Sequence, residues 1–237
     1  MCQRRKPTGR SRFAEAMLDR MLKLYNYFRS SSSYRVRIAL ELKGLAYAYE
    51  PVHLVRGEQR QPPYADLSPD RLLPLLEVRT DAGVERFSQS LAILEYLDET
   101  HPEPPLLPAD AAGRARVRAM AQTIACEIHP VNNLRVLKYL VGELKVDEAA
   151  KLAWYRHWVR EGLEAFERQL AQRPAGRFCD GDMPTLADIC LVPQIFNAQR
   201  FDCDLSGLPR TMAAYEAAAQ LDAFARAHPS LCPDAQA

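Results

Sequence analysis

Tyr27-Phe28-Arg29-Ser30-Ser31-Ser32-Ser33-Tyr34-Arg35-Val36-Arg37-Ile38-Ala39-Leu40 joins a strand-like run to a helical one through four consecutive serines. Upstream, Leu22 and Leu24 alternate with Lys23 and lead into tyrosines; downstream, Val36, Ile38, Ala39, Leu40 and Leu42 supply the apolar positions of a helix. Where a strand hands over to a helix, hydroxyls and unpaired backbone N–H groups converge at the positive end of the helix dipole, a setting that favours an anion. A thiolate suits it, because hydroxyl donors and the dipole stabilise the ionised form of a thiol whose free pKa is about 8.5. Plain helix capping by serine accounts for the same segment without a ligand.

Working outward, Gly44 suits the left-handed position that closes a helix, and Tyr47 to Leu54 alternates again, so the opening reads βαβ. A polar stretch, Arg56 to Arg71, leads to a strand from Leu72 to Val78 entered through Pro74, a candidate cis proline with no N–H for a ladder. Asp81-Ala82-Gly83 turns that strand into Val84 to Phe87, and a helix follows from Ser90 to Thr100. Gln89-Ser90 repeats the arrangement of hydroxyl and free N–H groups at a helix start, which either caps the helix or holds a carboxylate. The proline-dense His101 to Pro108 marks the domain boundary. Beyond it the periodic segments are helical: Ala111 to Glu143 interrupted at Pro130, Asp147 to Gln172, Thr185 to Arg200, and Pro209 to Ala227. Thr185-Leu-Ala-Asp188 has capping-box spacing with Asp in place of Glu. Trp154, Trp158 and the Tyr155-Arg156-His157 run on one long helix read as packing or interface, with no catalytic role.

The chain has 237 residues, 48% of them hydrophobic, enough to bury a core without disulfides or metals. Its 31 Lys and Arg nearly balance 30 Asp and Glu, which points to neither nucleic acid nor an anionic membrane, so any anion site is local. Cys2, Cys126, Cys179, Cys190, Cys203 and Cys232 form no C-x-x-C pair and no His-bearing ligand spacing, which argues against a metal site or a secreted disulfide framework and fits a reducing cytoplasm. No stretch approaches the length of a membrane span, and the Arg-rich residues 1–20 lack the apolar core of a signal peptide and read as a disordered extension.

The quoted stretch resembles the signature of zeta-class glutathione transferases, whose members include maleylacetoacetate and maleylpyruvate isomerases. The resemblance continues through Leu73-Pro74, through Gln89 to Leu97, through Ile128-His129-Pro130-Val131-Asn132-Asn133-Leu134-Arg135, and through Leu186 to Gln194. It implies an α/β plus all-α chain: a thioredoxin-like, glutathione-binding domain over 21–103, a linker over 104–110, an all-helical substrate domain over 111–232 and a short tail over 233–237. It also implies a homodimer.

By the same resemblance, Ser30, Ser31 and Ser32 act as catalytic hydroxyls on the glutathione sulfur, and the segment continuing through Ser33, Tyr34 and Arg35 belongs to the cofactor site. Leu73, before Pro74, pairs its backbone with the cysteinyl unit; Gln89 and Ser90 hold the γ-glutamyl carboxylate. Gln59, His129, Asn133, Leu134 and Arg135 match positions bordering glutathione or the substrate cleft. Arg29 and Arg200 match arginines that face the substrate, and guanidinium suits bidentate carboxylate recognition. Animal members carry Gln at His129, for which a structural role beside Pro130 is the alternative. Many members carry Cys at Ser32; serine keeps a hydrogen-bond donor and removes thiol redox chemistry.

The activity implied is glutathione-dependent cis–trans isomerisation of maleylacetoacetate to fumarylacetoacetate, in tyrosine and phenylalanine catabolism. Its rivals are maleylpyruvate isomerisation, general conjugation of electrophiles, and a non-catalytic protein of the same fold.

Overall fold

β1 (Leu22–Asn26) turns at Tyr27–Ser30 into α1 (Ser31–Leu42), and β2 (Ala48–Pro51) returns parallel to β1, so the opening is the βαβ unit its alternation promised. The computed structural model describes residues 22–236; the extension expected at 1–20 lies outside the described residues. Gly44 takes φ +62°, a conformation that costs glycine little, just past the end of α1. The second strand is shorter than the run Tyr47 to Leu54 because its partner β1 ends at Asn26, whose carbonyl takes the last bond, from Val52 N–H at 2.8 Å.

A 3₁₀ turn at Glu58–Arg60 and α2 (Tyr64–Leu67) give the β2–β3 connection local structure that its polar composition did not announce. The Leu73–Pro74 peptide is cis. β3 (Leu75–Thr80) starts just beyond it, later than the Leu72 expected, and pairs antiparallel with β1 and with β4 (Gly83–Ser88), giving the sheet order β2-β1-β3-β4. Leu24 and Leu76 are cross-strand partners and both are fully buried, which locks the register, since a one-residue slip would turn both to the opposite face. α3 (Ser90–Thr100) packs against α1.

The second domain begins with α4 (Ala111–Gln122), capped by Asp110, whose carboxylate accepts the Gly113 N–H at 2.8 Å. The helical segment expected over Ala111 to Glu143 with an interruption at Pro130 widens first into a π-helical turn, Thr123–Ile128, continues as α5 (His129–Val131) and breaks at Asn132, two residues past that proline. It restarts as α6 (Leu134–Gly142), with Asn133 as its cap. α7 (Glu148–Ala171), α8 (Leu186–Arg200), α9 (Pro209–Ala219) and α10 (Asp222–Arg226) complete the domain. The single helix expected over Pro209 to Ala227 is two, because Leu221 is extended. At the start of α8 the capping box is present: Asp188, fully buried, accepts Thr185 N–H at 2.8 Å and Cys179 N–H at 2.9 Å. α7 approaches the π turn closely at Gly162, where a Cβ would lie 2.2 Å from Ile128 Cγ1.

One apolar cluster runs through both domains, from Leu24, Val36 and Leu40 to Val117, Leu163 and Ile189. Its mass is what holds α1 and α8 at a defined separation, each fully buried large side chain contributing about 1.5–3 kcal/mol. Between the domains the linker is a packed seam: Leu106 is buried and its carbonyl accepts Leu186 N–H at 2.9 Å. Lys43 spends all three ammonium protons there, on Asp98 and on the carbonyls of His101 and Pro104. Within the stretch 233–237 expected as a tail, the described part holds Asp234, which is buried and accepts the Phe28 N–H at 3.1 Å and the Tyr49 hydroxyl.

Candidate active site

The β1–α1 turn faces the second domain across a cleft of about 510 Å³. Ser30 caps α1, its Oγ accepting Ser33 N–H at 3.2 Å, and the first turn of the helix carries no acidic residue to offset the dipole. An anion at this terminus gains about 0.3–1 kcal/mol, and up to about 2 kcal/mol when partly buried. Ser30, Ser31 and Ser32 all line the cleft, as do Arg29, Gln59, Leu73, His129, Asn133, Leu134, Arg135 and Arg200. Six further candidates are not among the lining residues. Ser33 is fully buried; Tyr34 directs its hydroxyl to the Phe224 carbonyl at 3.5 Å; Arg35 is buried and donates Nη1 to Ser90 Oγ at 3.3 Å, while its Nε and Nη2 have no partner among the described residues. Pro74 and Ser90 are buried. Gln89 reaches the rim through Asp70, a lining residue, with Nε2 3.4 Å from Asp70 Oδ2. Its φ of +67° is a strained conformation for a non-glycine residue, of a kind that concentrates at ligand-binding positions.

The opposite wall comes from the break after the π turn and from α7 and α8. Irregular helical turns of this kind accompany functional sites, and here the break aims His129 at the serines. His129 Nδ1 lies 3.0 Å from Ser31 Oγ and Nε2 lies 3.2 Å from Ser32 Oγ, so the ring bridges two of the catalytic candidates. Burial, followed by the positive charges of Arg35 and Arg135, pushes its pKa down to about 3, so the ring is neutral at physiological pH. The histidine beside Pro130 thus lies in the cleft lining.

Charge in the cleft is lopsided although the chain is nearly neutral. Arg29, Arg60, Arg71, Arg135, Lys138 and Arg200 line it, against Asp70 as the one acidic lining residue among those described. Burial, then the nearby Arg29, lowers the Arg200 pKa, so the two guanidiniums face a common space. Arg200 donates to a neutral partner, Asn197 Oδ1, at 3.1 Å. No cysteine lines the cleft among the described residues, and burial pushes up the thiols of Cys179, Cys190, Cys203 and Cys232, Cys190 and Cys203 to about 11. Gln59 Oε1, buried with no partner among the described residues, and the three serine hydroxyls suit a polar thiol peptide.

Sequence reasoning missed Tyr155, Gln194, Asn197 and Phe201, which also line the cleft. Tyr155 does pack, stacked on Phe201 with ring centroids 4.0 Å apart, and also lines the site. The signal available for the others was the polar triplet Gln194, Asn197 and Arg200 at three-residue spacing on a largely apolar helix.

Residues 24–105 match the N-terminal domain of the glutathione S-transferases and residues 159–231 match their C-terminal domain. A solved bacterial maleylpyruvate isomerase of the zeta class superposes with a TM-score of 0.84 at 48% identity, covering 90% of this chain and 99% of the other. The maleylacetoacetate isomerase of Rhizobium meliloti is 48% identical over 206 residues, 87% of this chain and 95% of the relative. A maleylacetoacetate isomerase from Anaeromyxobacter dehalogenans, solved with dicarboxyethyl glutathione and citrate in its active site, has a TM-score of 0.82 at 47% identity, covering 91% of this chain and 94% of the other. The chain belongs to the glutathione S-transferase family and, within it, to the zeta class.

Proposed function

We propose that this protein is a glutathione-dependent cis–trans isomerase that converts maleylacetoacetate to fumarylacetoacetate. The observation that carries the reading is a serine-lined helix N-terminus facing the guanidiniums of Arg29 and Arg200, in a cleft with no cysteine among the described residues. Glutathione, when bound, supplies a thiolate that adds to the conjugated carbon, allows the former double bond to rotate, and leaves again unconsumed. The serine hydroxyls and the α1 terminus hold the sulfur in its ionised form, and Gln59, Leu73, Gln89 and Ser90 hold the peptide, the last through the Arg35 contact that fixes its hydroxyl. Arg29 and Arg200 fix the carboxylate ends of the substrate while its middle turns. Bulk cation density in the cleft favours a dianion over an apolar electrophile, which sets this reading above general conjugation.

Maleylpyruvate is the second reading, favoured by relatives of both names at equal identity. A homodimer in the cytoplasm completes the proposal; the resemblance supports the dimer, and the free cysteines support a reducing compartment. Among the described residues no helix is long and apolar enough to cross a membrane.

The test is an assay of purified protein with maleylacetoacetate generated in situ, beside maleylpyruvate and a chlorinated nitrobenzene, with Ser30→Ala as control. Cis-to-trans conversion without net loss of glutathione, preferring maleylacetoacetate and collapsing in the variant, is the expected result. Preference for maleylpyruvate moves the substrate, and conjugation without isomerisation sinks the reading. Sedimentation equilibrium tests the dimer.

A further inference from the structure

The three serines do not have equivalent protons, and a helix cap decides the difference. Asn133 Oδ1 accepts the Arg135 N–H at 3.1 Å as the cap of α6, so the other end of its amide, Nδ2, is the end that faces His129 Nε2, at 3.3 Å. An amide nitrogen donates, so Nε2 is an acceptor and carries no proton. A neutral imidazole has one N–H, which is then on Nδ1 and donates to Ser31 Oγ, 3.0 Å away. Ser31 thus receives a hydrogen bond and keeps its own proton free for the cleft it lines. Ser32, 3.2 Å from the unprotonated Nε2, shares that nitrogen's one lone pair with Asn133 Nδ2, so its proton is drawn to the ring.

We propose that Asn133, acting through the Nδ1–H tautomer of His129, makes Ser31 a donor to the thiolate and ties the Ser32 hydroxyl to the imidazole. His129 and Asn133 are positioning residues: each acts on the sulfur through a serine. The donor role rests on the glutathione reading above, whereas the tautomer does not. Donation from Nδ1 also polarises the Ser31 hydroxyl, and a chain of two bonds ending on a charged sulfur is stronger than the isolated hydroxyl. Histidine neutrality, which burial and two nearby arginines enforce, keeps the arrangement intact across physiological pH.

Two measurements test this. Nitrogen-15 NMR of histidine-labelled protein, with the His129 signals assigned by their loss in His129→Gln, is expected to show a protonated Nδ1 and a bare Nε2 without ligand. A protonated Nε2 overturns the proposal. The ultraviolet thiolate band of bound glutathione, titrated with pH, reads the consequence. His129→Leu, which leaves the Ser31 hydroxyl in place but unoriented and unpolarised, is expected to raise the thiolate pKa by about half a unit, a fraction of one hydrogen bond to a charged group. His129→Gln, whose amide offers one donor and one acceptor, restores it. Asn133→Asp keeps the cap but presents an oxygen to Nε2, moves the ring proton there and raises the thiolate pKa as well. An unchanged thiolate pKa in both His129→Leu and Asn133→Asp overturns the donor role. Absence of any thiolate band in the wild-type protein instead overturns the glutathione reading and the donor role with it, and leaves the tautomer standing on the NMR result.

Discussion

Arg37, on α1, donates Nε to the carbonyl of Ala227 at 3.1 Å, joining the first helix to a residue 190 positions later. Its other nitrogens reach Asn26 Oδ1 at 3.0 Å and the Phe28 carbonyl at 3.1 Å, at the end of β1 and in the turn that carries the serines. The side chain is 1% exposed, so its loss leaves three buried acceptors without donors. Arg37→Leu is expected to lower stability by about 3 kcal/mol or more in urea denaturation. Arg37→Lys should recover less than half, because a point charge cannot serve three directions set by a planar fork.

Arg29 and Arg200 sit in the cleft apart from the serines' hydrogen bonds, so their removal should separate substrate from cofactor. Arg29→Ala and Arg200→Ala are each expected to reduce kcat/KM for the dicarboxylate by about 10- to 100-fold, the value of a hydrogen-bonded charge. Steady-state kinetics with glutathione and enone varied separately check this. The KM for glutathione should move little, and turnover of an uncharged electrophile should not fall in parallel.

Gly162 lets α7 lie against the π turn that precedes His129. A methyl group there meets Ile128 Cγ1 at 2.2 Å and Cδ1 at 2.5 Å, so Gly162→Ala is overpacked and should cost about 1–3 kcal/mol. Shortening the neighbour in Gly162→Ala/Ile128→Val should return part of that loss. The non-additivity of the cycle, read from thermal melts, measures the contact.

Acid should destabilise the protein through His129. Its folded pKa, about 3, lies below the unfolded value near 6.5, so between these two pH values the unfolded chain binds the proton and the folded chain does not. The stability this group contributes is complete above about pH 6.5 and falls by up to about 1.4 kcal/mol per pH unit as pH drops toward the folded pKa. His129→Gln lacks that titration. Its stability, followed by urea melts from pH 7 to pH 4, should decline less steeply than that of the wild type.

Much of this was legible locally. The alternation before Asn26, the serine run and the apolar spacing after Tyr34 specify strand, turn and helix because each depends on neighbours a few residues away. Thr185 and Asp188 announce a helix start for the same reason, their reciprocal bonds closing within four residues. The π turn at Thr123–Ile128 had only Pro130 beyond it as a local mark, and its contact with α7 at Gly162 is a tertiary one that no local pattern carries. Tyr155 was legible as a packing aromatic and not as a cleft residue, because which edge of a ring meets a cavity depends on what lies across it.

By itself the sequence determined the two-domain order, the cap at the head of α1, and the residue types an anion site needs, since hydroxyls at a helix start and arginines are local chemical facts. The tertiary structure alone decided that His129 spans Ser31 and Ser32, that Arg29 and Arg200 share one space, and that Ser33, Tyr34 and Arg35 turn away from it. Those relations join residues far apart in the chain, and nothing in a one-dimensional pattern measures a distance that only the packing of one shared core across two domains sets.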